Sequence, residues 1–430
     1  MPAQPLSPSA LAATTLALAC AAGQVFAQPS MEVRWRKIVV TGDELPGAGG
    51  ETFRSPGHAI MNRRGEVAFG ARFETPDRDE IDSAIFAEID GELRMLLRQG
   101  DPVAGIPGAR HGITIPLRMN YTDQNELVFY NEHDFGEGTD RILGIWRANR
   151  DRVIPVMLGD GSLPDQDGRT FQLPFTPPVI QNDIPEVFRT DHQGNIAVAW
   201  FSTSATTDEF GSGLWLHDSS GLTCVINSDM PWNASTSNRM ETGATFGRDP
   251  VRNWFVMNTQ GELLFRGSER AADFTGDTVT HLLRARNGVT ESVVADGVST
   301  GLPDGSTFSL LPIFRASSRF TMNDAGNIVF EAESGDPASS ALWRVDESDG
   351  FERLVGAGDI LPGPQQTEII TVSTPRLTPT GEFFFFASLS PDSRSAHLLW
   401  SDPAHRRRTA HQPDAAGRDR HHPLPAWVYR

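Results

Sequence analysis

One short pattern recurs six times along this chain. It reads MNRRGEVAF at residues 61–69 and returns around Asn125 (TDQNELVF), Gly194 (TDHQGNIAV), Gly261 (MNTQGELLF), Gly326 (MNDAGNIVF) and Gly381 (LTPTGEFFF). The copies are 60, 69, 67, 65 and 55 residues apart. A period of this length restricts the chain to a repeat architecture, in which one unit cannot bury its apolar surface alone and neighbours complete the core. Residues that recur in every unit therefore belong first to the scaffold.

Each copy predicts a turn followed by a strand. Asn62, Asn258 and Asn323 open an Asn-x-x-Gly step, read as a type I turn capped by the asparagine side chain. Gly65, Gly194, Gly261, Gly326 and Gly381 supply the positive φ that comes next. The stretch after the glycine, Val67-Ala68-Phe69 in the first copy, is β-branched, small and aromatic, which suits a strand packed on both faces. Ahead of each copy an apolar strand ends in a Gly-Asp or related turn, at Asp43, Asp101, Asp160, Asp229, Asp296 and Asp359. Behind it a further strand carries an aromatic or leucine at one place: Phe86, Trp146, Trp215, Leu283, Trp343 and Trp400. Dipeptides such as Asp90-Gly91 and Asn287-Gly288 then predict two-residue hairpins. No 3.6-residue apolar period is sustained, so few helices are expected.

Four short strands per unit and six units predict an all-β, six-bladed β-propeller of four-stranded blades. An N-terminal strand around Val33 to Val40 is expected to complete the last blade, which removes an open sheet edge. An open β-solenoid is the alternative architecture.

The two ends read differently from the repeats. Residues 10–22 are a short apolar run followed by Val25-Phe26-Ala27, a pattern that predicts a secretory signal peptide over residues 1–27 and a secreted or periplasmic protein. No lysine or arginine precedes the run. After cleavage only Cys224 remains, so no intrachain disulfide is expected. Residues 28–402 form the repeat domain. Residues 403–430 hold six arginines against two aspartates, with no periodicity, and predict a disordered basic tail. The whole chain sums to −18 and that tail to +4, so residues 1–402 sum to −22. Such an acidic body excludes nucleic acid as a general partner. No apolar stretch reaches the roughly 20 residues of a membrane helix.

The turn motif resembles the tandem repeat NxxGxxAF of bacterial secreted proteins. Residues 62–69 match it in full; 323–330 and 258–265 match except at the alanine, and Thr122, Asp191 and Thr378 replace the asparagine elsewhere. The resemblance covers about residues 33–402 and implies an exported protein of unknown function, with envelope anchoring that this tail lacks the segment for. It supplies no catalytic residues. Sialidase Asp boxes place an aromatic three residues after the glycine, whereas here it falls four after, so that relation is rejected.

Ligand-binding candidates come from the strand before each turn. Counting back, positions one and three are apolar, while positions two and four include His58, Arg118, Arg189, Arg319 and Arg376. If they converge on a central channel, they would suit an anionic ligand; the plainer reading pairs them with nearby carboxylates. The six Gly-Asp aspartates are expected to accept backbone N–H bonds within their own turns. No metal site or cofactor is predicted. His111, His133 and His192 lie in or beside worn copies, where departures from the repeat are worth attention. No nucleophile motif stands out. The leading expectation is a monomeric binding scaffold for an extracellular or envelope protein or glycan. A hydrolase or lyase acting on an extracellular polysaccharide in the channel is the alternative.

Overall fold

The computed structural model describes residues 36–47, 49–75, 78–112, 119–134, 142–171, 188–191, 193–203, 210–228, 231, 238–242, 255–270, 278–310, 319–346, 350–361, 367–378, 381–390 and 394–400. The signal-peptide and tail assignments lie outside these residues. The chain divides into two units, Met1–Val40 and Thr41–Arg430, and every described strand belongs to the second.

All regular structure among the described residues is strand, arranged in six antiparallel sheets in chain order. They run from Thr52 to Arg98, Arg110 to Leu158, Thr170 to Asn227, Arg239 to Ala295, Phe308 to Gly356 and Ile369 to Trp400. Sheet four shows the plan. Arg239–Thr242 and Phe255–Met257 both pair with Leu263–Arg270, which pairs with Val279–Arg286, which pairs with Val289–Ala295. The last pair closes on Asn287 and Gly288, both at positive φ (52° and 75°), the mirror-image turn that matches strand twist. In each of the first five sheets the fourth strand bulges one residue after the partner of the recurring aromatic or leucine, at Leu96, Val156, Val225, Val293 and Leu354.

The first strand differs between units. In sheets one and six it is a single element, Thr52–Met61 and Ile369–Leu377, each with register shifts. In sheets two to five it is split into two short segments that pair with the same second strand.

The core forms as seams between consecutive sheets, five of them among the described residues. Each second strand serves two seams. Val128 packs toward sheet three and Phe129 toward sheet one; Leu264 packs toward sheet five and Phe265 toward sheet three. All four are fully buried, as the both-faces reading requires. Burying one such side chain contributes about 1.5–3 kcal/mol, so each sheet depends on both neighbours. The corresponding residue of sheet six, Phe384, is 46% exposed, and Ile370 in the first strand of that sheet is 42% exposed. Sheet six has three described strands. The strand expected around Val33 to Val40 is not among the described elements, because residues 36–40 carry no strand and 33–35 lie outside them.

Candidate functional site: a cavity ringed by the six turns

The six turns share one geometry. The N–H of the first residue donates to the carbonyl of the fifth in every copy, as in Asn62 to Glu66 (3.0 Å) and Thr378 to Glu382 (2.7 Å). Gly65, Gly261, Gly326 and Gly381 sit at φ between 79° and 85°, and Asn125 reaches 61° in glycine's place. The first side chain caps its own turn. Asn62 Oδ1 accepts from the N–H groups of Arg64 and Glu66, both at 3.0 Å. Thr122 Oγ1 and Asp191 Oδ1 do the same in the worn copies.

The asparagines also do something that a cap does not require. Asn62 Nδ2 donates to the carbonyl of Thr122, 60 residues on, at 3.2 Å. Asn258 Nδ2 reaches Asn323 and Asn323 Nδ2 reaches Thr378, each at 3.4 Å. Running the other way, Asp123 accepts the N–H of Arg63 and Asp324 that of Thr259, both at 2.9 Å. The motif therefore ties the first unit to the second, the fourth to the fifth and the fifth to the sixth. A threonine or aspartate lacks the NH₂ arm, so the copies at Thr122 and Asp191 keep the cap and lose the tie. Asp191 instead accepts from Asn195 Nδ2 at 2.7 Å, the reverse of Asn258 Nδ2 donating to Glu262 at 2.8 Å.

These turns surround a cavity of about 370 Å³. All six units contribute equivalent residues. Its apolar ring is Met61, Tyr121, Met257, Met322 and Leu377, with Thr190 at the remaining place. Beside it stand Asn62, Asn258 and Asn323, then Arg63, Asp123 and Asp324, with Asp191 from the third unit. Three aspartates and one arginine are thus among the lining residues. Met61 is 69% exposed, so its thioether is open to solvent. Tyr121 is anchored, its hydroxyl donating to the Glu88 carbonyl in sheet one, and burial holds its ionisation well above the ordinary phenol value.

The arginine set lies elsewhere. His58 and Arg376 are exposed, Arg189 is half-buried, and Arg118 is outside the described residues. Arg319 pairs with Glu331. None of His58, Arg189, Arg319 and Arg376 lines the cavity, which is lined by position one, the residue touching the turn. His111 is buried edge-on against Trp146, with ring centroids 4.7 Å apart; the side chains of His133 and His192 lie outside the described residues. Three of the turn aspartates behave as expected: Asp101 accepts from Arg98 N, Asp160 from Ser162 N, and Asp359 from Gly356 N, whereas Asp296 accepts from Thr280 N and Leu310 N, outside its own turn.

A second polar cluster sits in the seam between sheets four and five. Arg266 is buried, donates to the Glu331 carbonyl at 3.2 Å and lies 5.8 Å over the Phe320 ring. Burial pushes the Glu331 carboxyl up to about 7, against the pull of Arg319 and Arg266. The same burial lowers Arg266 to about 10.

A family model described as a family of unknown function (DUF7453) matches residues 15–167 and 179–408, and the chain belongs to that family. No curated protein matches the sequence. Among solved structures, the polysaccharide lyase Uly1 is similar at 10% identity and a TM-score of 0.34, covering 79% of this chain and 76% of its own. An α-L-arabinanase of Penicillium chrysogenum, complexed with arabinobiose, is similar at 11% identity and a TM-score of 0.30, covering 81% and 92%. An α-L-arabinofuranosidase of Fusarium graminearum gives 10%, 0.27, and 80% and 91%.

Proposed function

We propose that this member of the DUF7453 family is an exported six-bladed β-propeller that serves as a binding scaffold, with its central cavity as the ligand site. One observation carries the reading: equivalent residues from all six units line a single cavity, in the size range of small-ligand sites. Its chemistry favours a ligand with an apolar body and a neutral or positively charged head. The thioethers of Met61, Met257 and Met322 supply soft, adaptable contact. Asp123, Asp191 and Asp324 outnumber Arg63, which disfavours the anionic ligand that the arginine set suggested. Hydrolysis or lyase chemistry on a polysaccharide ranks second. It would need an acid and a base among these groups, and Asp191 already accepts bonds from its own turn at both oxygens.

Calorimetric titration of the purified protein against quaternary ammonium compounds, neutral oligosaccharides and their sulfated forms separates these readings. Binding of a cation or neutral sugar, weakened at least tenfold by Met322→Lys, supports the scaffold. Preferential binding of sulfated forms, unaffected by that change, would reject it.

A further inference from the structure

Sheet four departs from its neighbours at two coupled positions. Where sheets two, three and five carry Trp146, Trp215 and Trp343 in the third strand, sheet four carries Leu283. Two residues earlier, those sheets and sheet one have Gly144, Gly213, Ala341 and Ala84, while sheet four has His281. A small residue accompanies each tryptophan: a Cβ on Gly213 would lie 2.4 Å from the Ile226 carbonyl and 2.7 Å from the Trp215 ring. Losing the indole opens that space, and the imidazole enters it.

Each ring nitrogen has a polar atom within reach. His281 Nδ1 lies 3.0 Å from Ser292 Oγ in the fourth strand, and Nε2 lies 3.0 Å from Glu269 Oε2 in the second. Asn238 Nδ2 donates to the other Glu269 oxygen at 2.7 Å. Register places these residues on one face, since His281 opposes Gly267, two residues before Glu269, and Ser292 opposes Leu283. A carboxylate only accepts, so Nε2 carries the ring proton and Nδ1 presents its lone pair to the serine hydroxyl. His281 is buried and Ser292 exposed, so the hydroxyl at the end of the chain is the group that solvent reaches. Nucleophile, base and orienting carboxylate in hydrogen-bond reach form the arrangement that activates a serine, whatever the fold.

We propose that Ser292, His281 and Glu269 form a second chemical site, separate from the central cavity, that cleaves carboxylic esters with an accessible carbonyl. Ser292 Oγ bonds to the carbonyl carbon as its proton passes to His281 Nδ1. The carbon–alkoxy bond then breaks, and the same proton leaves with the alcohol, giving acyl-Ser292. Water adds to that acyl carbon, loses its proton to His281, and the carbon–Oγ bond breaks as Oγ recovers a proton, releasing the acid. Burial holds the imidazole below its ordinary value despite the opposing pull of Glu269 and Asp296, so it is neutral, and basic, at pH 7. Glu269 and Asn238 act as positioning residues.

The full chain treated with a fluorophosphonate probe, followed by peptide mass spectrometry, tests this directly. The expected result is one adduct, on Ser292, together with p-nitrophenyl acetate hydrolysis that falls by about 10²–10⁴-fold in Ser292→Ala and His281→Ala. Glu269→Gln should move the acid limb of the pH–rate profile to lower pH, a shift that lost packing alone does not produce. Ser292→Ala removes one exposed hydroxyl, and its melting temperature serves as the folding control. No adduct on Ser292, or hydrolysis unchanged in a folded Ser292→Ala protein, would overturn the site.

Discussion

The seam between sheets four and five and the seam between sheets two and three are built from similar apolar material but held in register differently. Both bury large rings. Tyr130 lies 5.9 Å from Trp200 across the earlier seam, and Phe308, Phe330 and Trp343 fill the later one. The later seam adds directional ties: Asn258 to the Asn323 carbonyl, Thr259 N–H to Asp324, and Arg266 to the Glu331 carbonyl. In the earlier seam Arg147 donates to the Gly194 carbonyl, and no side-chain bond runs from Thr122 to the Asp191 turn among the described residues. Apolar burial is non-directional, so it joins sheets without specifying their relative height. Hydrogen bonds between equivalent turns specify that height, and three of the six turns have them through asparagine.

The sharpest way to break the comparison is to remove the tie. Asn258→Ala leaves the N–H groups of Gln260 and Glu262 without their acceptor and the Asn323 carbonyl without its donor. The carbonyl bond is buried and the two N–H bonds part-buried; a buried group left unmatched costs about 1–3 kcal/mol and the others less, so urea titration should show a loss of roughly 3 kcal/mol. Thr122→Ala removes a cap alone and should cost about 1 kcal/mol. Equal losses would show that the asparagine arm contributes nothing.

Exchanging the polarity of one turn tests the same point with a smaller effect. Asn258→Asp keeps the cap but sets a carboxylate against Glu262, and should cost about 1–2 kcal/mol. Adding Glu262→Asn recreates the Asp191–Asn195 pairing and should recover the part due to repulsion, leaving the lost cross-unit bond together with the lost Arg284–Glu262 ion pair, which is 3.0 Å in the native chain. A double-mutant cycle with no coupling would contradict this.

The buried Glu331 makes the later seam sensitive to pH. Its carboxyl holds a proton up to about 7 in the folded chain, against an ordinary 4.5. Between those values the folded state binds more protons than the unfolded, so stability is full below about 4.5 and falls as pH rises through about 7. Melting temperatures from pH 4 to 8 should show this decline, and Glu331→Gln should flatten it. A decline unchanged in Glu331→Gln would assign it to other groups. The smallest effect is expected from Thr122→Asn, which supplies the missing arm to the earlier seam and should stabilise by about 0.5–1.5 kcal/mol; destabilisation there would mean that Thr122 is selected for something the arm disrupts.

The turns, hairpins and both-faces packing were legible because each arises from local chemistry: Asn62 caps, Gly65 takes positive φ, and Val67-Ala68-Phe69 pairs as a strand. The second role of Asn62 was not, since nothing local shows that its Nδ2 meets a carbonyl 60 residues away. The arginine set does not line the cavity: Arg189 and Arg376 alternate with Thr190 and Leu377, which do, and His58 falls where a register shift interrupts Thr52–Met61. Arg319 lies just outside its strand, and the cavity is reached from the residue beside the turn. His281 was missed although a signal existed. Leucine replaces tryptophan at 283 while histidine replaces glycine or alanine at 281, a paired size exchange visible once the units are aligned by their bulges.

The split first strand has a consequence for how such a chain tolerates change. In sheets two to five the segments on either side of the interruption pair with one continuous strand, so the chain between His111 and Met119, or between Thr242 and Phe255, can change length while both ends stay registered. Four such pairs of registered ends at equivalent places in the repeat make the molecule a natural display platform. Foreign peptides inserted there should be carried without loss of folding, whereas the same peptides placed in Thr52–Met61 or Ile369–Leu377 should not.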